Sequence, residues 1–196
     1  MTGVVVLAGP SGSGKSRLAD RLHAAHGWPV VRLDDFYRDG DDPDLPRSAG
    51  LGIPDWDDPA SWRADAAIAA LGELCRTGTT RTPVYDLARS RAVGEREITA
   101  AAGSPVLAEG LFAAEVIPAL RDAGLLHSAW CIRHHRLATF ALRLTRDLAE
   151  RRKPPLTLLR RGLVLLRQEP AVVADLVAKG ARPASPAQAE RALADH

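Results

Sequence analysis

Hydrophobic and polar positions alternate along this chain in two different periods, and the period changes mark its elements. An unbroken apolar run at 4–8 has the length of a buried strand, and from Lys15 the pattern changes to a helical one, with Leu18 and Leu22 four residues apart on one face over 15–25. A second strand is predicted at 28–33 and a short third at 105–108. A fourth is predicted at 127–132. Helices are predicted from the Asp58-Pro59 cap to Thr77, closed by Gly78, and over 112–123 with Pro118 bending it. Further helices are expected at 137–152 and 156–167, at 169–179, and from Ser185-Pro186 to Leu193. The β-like pieces 82–87 and 96–99, around a polar turn region that includes Gly94, predict a hairpin flap. The segment 41–56 has no period and is too long for a mere connection, which marks a functional loop.

Strands alternating with helices imply an α/β fold with a parallel sheet and helices on both faces, and in such sheets ligands sit outside the carboxyl ends of the strands. With 196 residues, one domain is expected over 1–196, with an acceptor-side loop and hairpin at about 34–99 and a helical lid and C-terminal region at about 136–196.

Composition changes this picture in three respects. Cys75 and Cys131 are the only cysteines, each within an apolar stretch, so no disulfide framework or cysteine-rich metal site is implied. No stretch approaches the ~20 apolar residues of a membrane span, and the first strand follows the start without a basic leader, so a cytoplasmic, membrane-free protein is expected. The net charge of +2 conceals a segment at 34–58 with nine aspartates and a local charge of −7, and one at 132–167 with a local charge of +8. A polynucleotide would have to avoid the first of these, which argues against nucleic acid as a partner. A triphosphate on the basic side and a neutral polyol on the acidic side suit both, so the expected partners are small molecules, with self-association left open.

The chemistry starts at Gly9-Pro10-Ser11-Gly12-Ser13-Gly14-Lys15-Ser16, which satisfies G-x-x-x-x-G-K-[ST] between the first strand and the first helix. Backbone N–H groups of such a loop and the helix N-terminus cradle phosphates. Lys15 is expected to reach the β- and γ-phosphates of ATP from the phosphate cleft, and the Ser16 hydroxyl to ligate Mg²⁺. Ser11 and Ser13 serve as small spacers. Asp34 and Asp35 end the second strand and Glu109 the third, so all three acids should meet the loop in one cleft. Either aspartate could act as the base that takes a proton from an acceptor hydroxyl, while Glu109 and Asp34 are candidate magnesium ligands beside Ser16.

These motifs, followed by Asp34-Asp35-Phe36-Tyr37, Asp55-Trp56-Asp57-Asp58-Pro59, Tyr85-Asp86, Glu109-Gly110 and Arg143-x-x-Arg146-Asp147-x-x-x-Arg151, resemble the uridine kinase family. That family belongs to the P-loop kinases that include phosphoribulokinase and pantothenate kinase. The resemblance implies the kinase-type P-loop nucleoside triphosphate hydrolase fold and phosphoryl transfer from ATP, with magnesium, to a hydroxyl of a nucleoside. It aligns Asp34 with the catalytic aspartate, Asp57 with a ligand of sugar hydroxyls, and Tyr37 and Tyr85 with nucleoside-pocket aromatics. Arg143 and Arg146 align with catalytic lid arginines and Arg151 with a donor-phosphate arginine. The stretch from Tyr85 to Arg91 is one residue shorter than the family's and lacks its histidine, so weak pyrimidine selectivity is expected. Alternatives are another alcohol, pantothenate-like or sugar-phosphate-like, with Arg47, Arg81, Arg89 and Arg91 binding its anionic group, or a non-enzymatic nucleotide-dependent regulator. No Asn-Lys-x-Asp of the G proteins occurs, which disfavours the regulator. His134 and His135, lacking a visible third ligand, read as loop residues rather than metal ligands.

Overall fold

The computed structural model of the chain describes residues 2–48, 52–133 and 169–194. Five strands, β1 (Val4–Ala8), β2 (Val30–Arg32), β5 (Val106–Glu109), β6 (Leu126–Ile132) and β7 (Arg182–Ala184), form a parallel sheet in the order β2-β5-β1-β6-β7. Parallel strands are covered on both faces, which is why β1 and β5 read as continuous apolar runs and are buried at every position. Alternate residues of β1 serve two cores. Val5 and Leu7 pack with Leu18 and Leu22 of α1 (Lys15–His26) and with Ala189 and Leu193 of the last helix, α4 (Pro186–Ala194). Val4, Val6 and Ala8 pack with Leu71 and Leu74 of α2 (Ala64–Thr77), Leu120 of α3 (Ile117–Asp122) and Leu176 of a helical stretch at 169–178.

The helix expected from Asp58 is divided in two. Asp58 does cap, accepting from Ala60 N at 2.8 Å, but it caps a single 3₁₀ turn, Pro59–Ser61. Trp62 is then drawn into an extended conformation because its indole Nε1 donates to the Leu33 carbonyl at 2.6 Å, and α2 begins only at Ala64. Gly78 closes α2 as expected, in the left-handed conformation. The predicted helix at 112–123 likewise starts as a 3₁₀ turn, Ala113–Val116, and Pro118 stands in the first turn of α3 rather than bending a longer helix.

Beyond the sheet, β3 (Thr79–Asp86) and β4 (Arg91–Thr99) make an antiparallel hairpin that is longer than its apolar pieces suggest. Gly94 lies inside β4 opposite Val84, not in the turn. Tyr85 pairs with Ala92, which leaves Val93 as the extra residue of a bulge. Strand β7 carries Pro183, which gives no periodic signal and fits the edge of a sheet. Ser185 and Gln188 then form a reciprocal cap on α4, each side chain bonded to the other's backbone N–H. Both cysteines are free, Cys131 buried and Cys75 half-buried. Among the described residues no helix is long and apolar enough to cross a membrane. The predicted helices at 137–152 and 156–167 lie outside the described residues.

Candidate functional site at the carboxyl ends of the strands

The P-loop leaves the central strand and enters α1 through Gly14, whose left-handed backbone forms the N-cap without any side-chain hydrogen bond. No acidic residue occupies the first turn of α1, so the positive end of the helix faces the loop without competition. Gly9 is required sterically: its φ is 146°, and a Cβ there would run into the Ile132 carbonyl at the end of β6. Ser13 is fully buried beneath the loop, next to Gly9, in keeping with a small spacer. Lys15 is less open to the cleft than the sequence suggested. It is only 8% exposed, and its Nζ donates to the Gly9 and Pro10 carbonyls at 2.8 and 3.2 Å.

Strands β1, β2 and β5 bring the predicted acids to this loop. Arg32, last in β2, is in register with Glu109, last in β5, which in turn pairs with Leu7 of β1. The Ser16 hydroxyl donates to Glu109 Oε2 at 2.9 Å, which joins the loop to the third strand. Glu109 is 5% exposed, and burial pushes its carboxyl above the usual range, opposed by the Ser16 hydrogen bond and reinforced by the Asp34 charge. Asp34 lies in a 3₁₀ turn, Leu33–Phe36, and accepts from Leu111 N at 2.8 Å. It keeps access to solvent at the cleft, yet the protein around it still desolvates it enough to raise its pKa, against the Leu111 N–H and the Lys15 charge. Gly110 permits this arrangement, since a Cβ there would lie 2.8 Å from Asp34 Oδ1 and 3.0 Å from Leu33 Cβ.

Asp35 does something different. Its Oδ1 accepts from Tyr85 N at 3.2 Å and its Oδ2 pairs with Arg96 Nη2 at 3.1 Å, so it faces the hairpin and Asp34 faces the cleft. Next to Asp34 stands a group of aromatic rings. Tyr37 meets Trp56 and Phe112 edge-on at 5.8 and 5.9 Å, and Tyr85 at a tilt at 6.0 Å. Burial, followed by the charges of Asp34 and Asp57, raises the Tyr37 phenol well above its usual value. The Tyr85 phenol, pushed up to about 12 by burial first and the Asp39 charge second, donates to the Arg38 carbonyl at 2.8 Å.

Of the predicted site residues, Ser16, next to Lys15, is bonded to Glu109; Asp34 is bonded to Leu111 just past Glu109; and Tyr37 and Tyr85 meet in the aromatic group, with Asp57 next in the chain to Trp56. Arg89 is not placed in the aromatic group; it lies in the hairpin turn, paired with Asp86 at 3.4 Å. Arg143, Arg146 and Arg151, with His134 and His135, lie outside the described residues. Sequence reasoning missed the Leu111 N–H, the Phe112 ring and the hairpin clasp on Asp35. None has a local signature, although Phe112 could have been suspected from its place just past Glu109-Gly110.

Residues 4–109 match a family model described as an AAA domain. The chain belongs to this AAA-domain family of P-loop proteins. A candidate fructose transport system kinase from Silicibacter sp. TM1040 shares its fold with a TM-score of 0.65, over 94% of this chain and 88% of that one, at 22% identity. A possible uridine kinase from Bacillus stearothermophilus gives a TM-score of 0.51 over 71% of this chain and 74% of that one, at 17% identity. A search of curated proteins returned no significant match. The sheet order and these neighbours together establish the kinase-type P-loop fold expected from the sequence.

Proposed function

We propose that this AAA-domain protein is an ATP-dependent phosphotransferase that moves the γ-phosphate to a hydroxyl of a small, uncharged acceptor, with a nucleoside as the leading candidate. The observation that carries the reading is the placement of Asp34. Its carboxylate is held by Leu111 N–H at the carboxyl end of β2 and stays open to solvent, on the sheet edge that also carries Glu109 and the P-loop.

The residues suit a magnesium-bound triphosphate. Lys15 already binds two oxygen acceptors and would exchange these carbonyls for phosphate oxygens. Ser16 and Glu109 offer adjacent hard oxygen donors, and magnesium keeps most of its waters, so the absence of any group of three His, Cys, Asp or Glu ligands among the described residues is no obstacle. The metal, when bound, supplies charge neutralisation across the transferring phosphoryl group. Asp34 would orient the acceptor hydroxyl and take its proton, a task for which a raised pKa is favourable. Tyr37, Tyr85, Trp56 and Phe112 would hold the flat faces of the acceptor, and Asp57 its hydroxyl pairs.

An anionic acceptor is less well served. Arg38 is bonded to Asp42, Arg89 to Asp86 and Arg96 to Asp35, Arg81 lies 4.0 Å from Glu95 and Arg47 donates to the Gly52 carbonyl, which leaves Arg91, exposed at the start of β4, as the remaining candidate. A simple sugar is the second reading, supported by the long fold match to the fructose-system neighbour. The test is acceptor-dependent ADP release with ATP and magnesium across uridine, cytidine, adenosine, their 5′-monophosphates and small sugars. A neutral acceptor is expected to show the highest kcat/KM. A higher value for any monophosphate than for its nucleoside overturns the neutral-acceptor reading, and slow acceptor-independent hydrolysis alone overturns the kinase.

A further inference from the structure

The hairpin is held at two places with a gap between them. Near its base, Thr80, Thr82 and Ile98 are buried, and the Thr80 hydroxyl donates to Glu73 of α2 at 2.5 Å. Toward its tip, Ala92 N donates to Asp39 Oδ1 at 2.8 Å and Gly40 N to the Ser90 carbonyl at 2.6 Å. Between these points an open groove of about 680 Å³ separates the hairpin from α2, with Ala66, Ala70, Arg63, Arg81 and Glu95 among its walls. Packing therefore does not fix the stretch at 83–84 between them. Polar contacts must do so.

Asp35 brackets that gap, since in the ladder Arg96 stands opposite Thr82 and Tyr85 opposite Ala92. Its side chain is 16% exposed, and its two oxygens reach both strands, Tyr85 N on β3 and Arg96 on β4. Tyr85 is also where the bulge interrupts the ladder, a point at which strand pairing alone positions the backbone poorly. The ring of Tyr85 stands 6.0 Å from that of Tyr37, which is two residues along the chain from Asp35 itself. One ring of this pair is thus carried by the segment of Asp35, and the other is tied to its carboxylate.

We propose that Asp35 is a positioning residue that holds Tyr85 in the acceptor wall, by clasping the hairpin through Tyr85 N–H and Arg96 while its neighbour Asp34 faces the reacting hydroxyl. This rests on the acceptor role assigned to the aromatic group above. Loosening the clasp leaves the Tyr85 backbone to the bulged ladder and to its phenol's bond with the Arg38 carbonyl, so the ring shifts against Tyr37. Acceptor binding then weakens, while the P-loop, Glu109 and Asp34, all outside the hairpin, keep their geometry.

Two variants test this, Arg96→Gln on the exposed partner, which leaves the core untouched, and Asp35→Ala. Acceptor KM is expected to rise about tenfold in Arg96→Gln and further in Asp35→Ala, with ATP KM and kcat within about twofold of wild type. The double variant should be no worse than Asp35→Ala, because both substitutions break one clasp. Amide hydrogen exchange at Tyr85 and Ala92 should accelerate in both, with β1 and β5 unchanged. A fall in kcat at constant acceptor KM would assign Asp35 to the chemical step and overturn the proposal, as would faster exchange with an unaltered KM. If the wild-type protein shows no acceptor-dependent ADP release, the phosphotransferase reading fails separately. Unchanged exchange in Arg96→Gln would even then overturn the clasp.

Discussion

The donor and acceptor halves of the proposed active site are built by different means. The donor half is local: β1, the loop and the start of α1 follow one another within thirteen residues, 4–16, and their geometry comes from glycine backbone and a helix terminus. The acceptor half is assembled from separate segments. Tyr37 follows the 3₁₀ turn, Trp56 comes from the long loop, Tyr85 from the hairpin and Phe112 from beyond β5. A local site is fixed by the chain's own bond geometry. A dispersed one depends on clasps such as Asp35 with Arg96 and Asp39 with Ala92 N. Substitutions in the donor half should therefore abolish turnover, whereas those in the acceptor wall should act mainly on affinity.

The largest effect is expected from Lys15→Ala, which removes the one P-loop cation while leaving the sheet intact. Turnover should fall about 1,000-fold or more, with circular dichroism and the melting transition close to wild type. Wild-type turnover in a folded variant would sink the assignment of the donor half.

Asp34→Asn comes next and contrasts the two neighbouring aspartates. The amide can still accept from Leu111 N but cannot take a proton, so kcat should fall about 100-fold or more with ATP affinity little changed. A greater loss of kcat in Asp35→Asn would reverse the roles assigned to the pair. Asp34 must be ionised to act as base, and its pKa is raised. Wild-type activity should accordingly fall as pH drops, on a limb displaced above the ~3.9 of an ordinary aspartate, and this limb should vanish in Asp34→Asn.

The smallest expected effect is one of stability. The folded-state pKa of Glu109 is raised by burial, so its ionised form weakens the fold at neutral pH. The penalty is present in full above the raised folded value and disappears below the unfolded value of ~4.3. Glu109→Gln keeps an acceptor for the Ser16 hydroxyl, and should raise Tm at pH 7 in the absence of nucleotide, by roughly 2–4 °C for each kcal/mol relieved. The gain should shrink toward pH 4, and magnesium-dependent activity should be lost. An unchanged or lower Tm at pH 7 would show that Glu109 contributes to the fold more than its burial costs.

The sequence by itself determined the donor half and most of the framework. The P-loop is contiguous, β1 lies where its apolar run lies, and α1 and α2 end at or within a residue of the predicted limits, because periodicity and capping are properties of neighbouring residues. The convergence of Asp34 and Glu109 was also legible, since carboxyl ends of parallel strands share one edge of the sheet. Tertiary structure decided what depends on partners far along the chain. Trp62 found the Leu33 carbonyl 29 residues away and shortened the expected helix; Asp35 found Tyr85 at a separation of 50 and Arg96 at 61; Asp34 found Leu111 N at 77. Strand β7 exists only because β6 offers an edge for Arg182–Ala184 to pair with. Contacts at such separations leave no periodic trace in the residues that make them, so only the folded sheet, by fixing which segments become neighbours, could choose between two adjacent aspartates and build the acceptor wall.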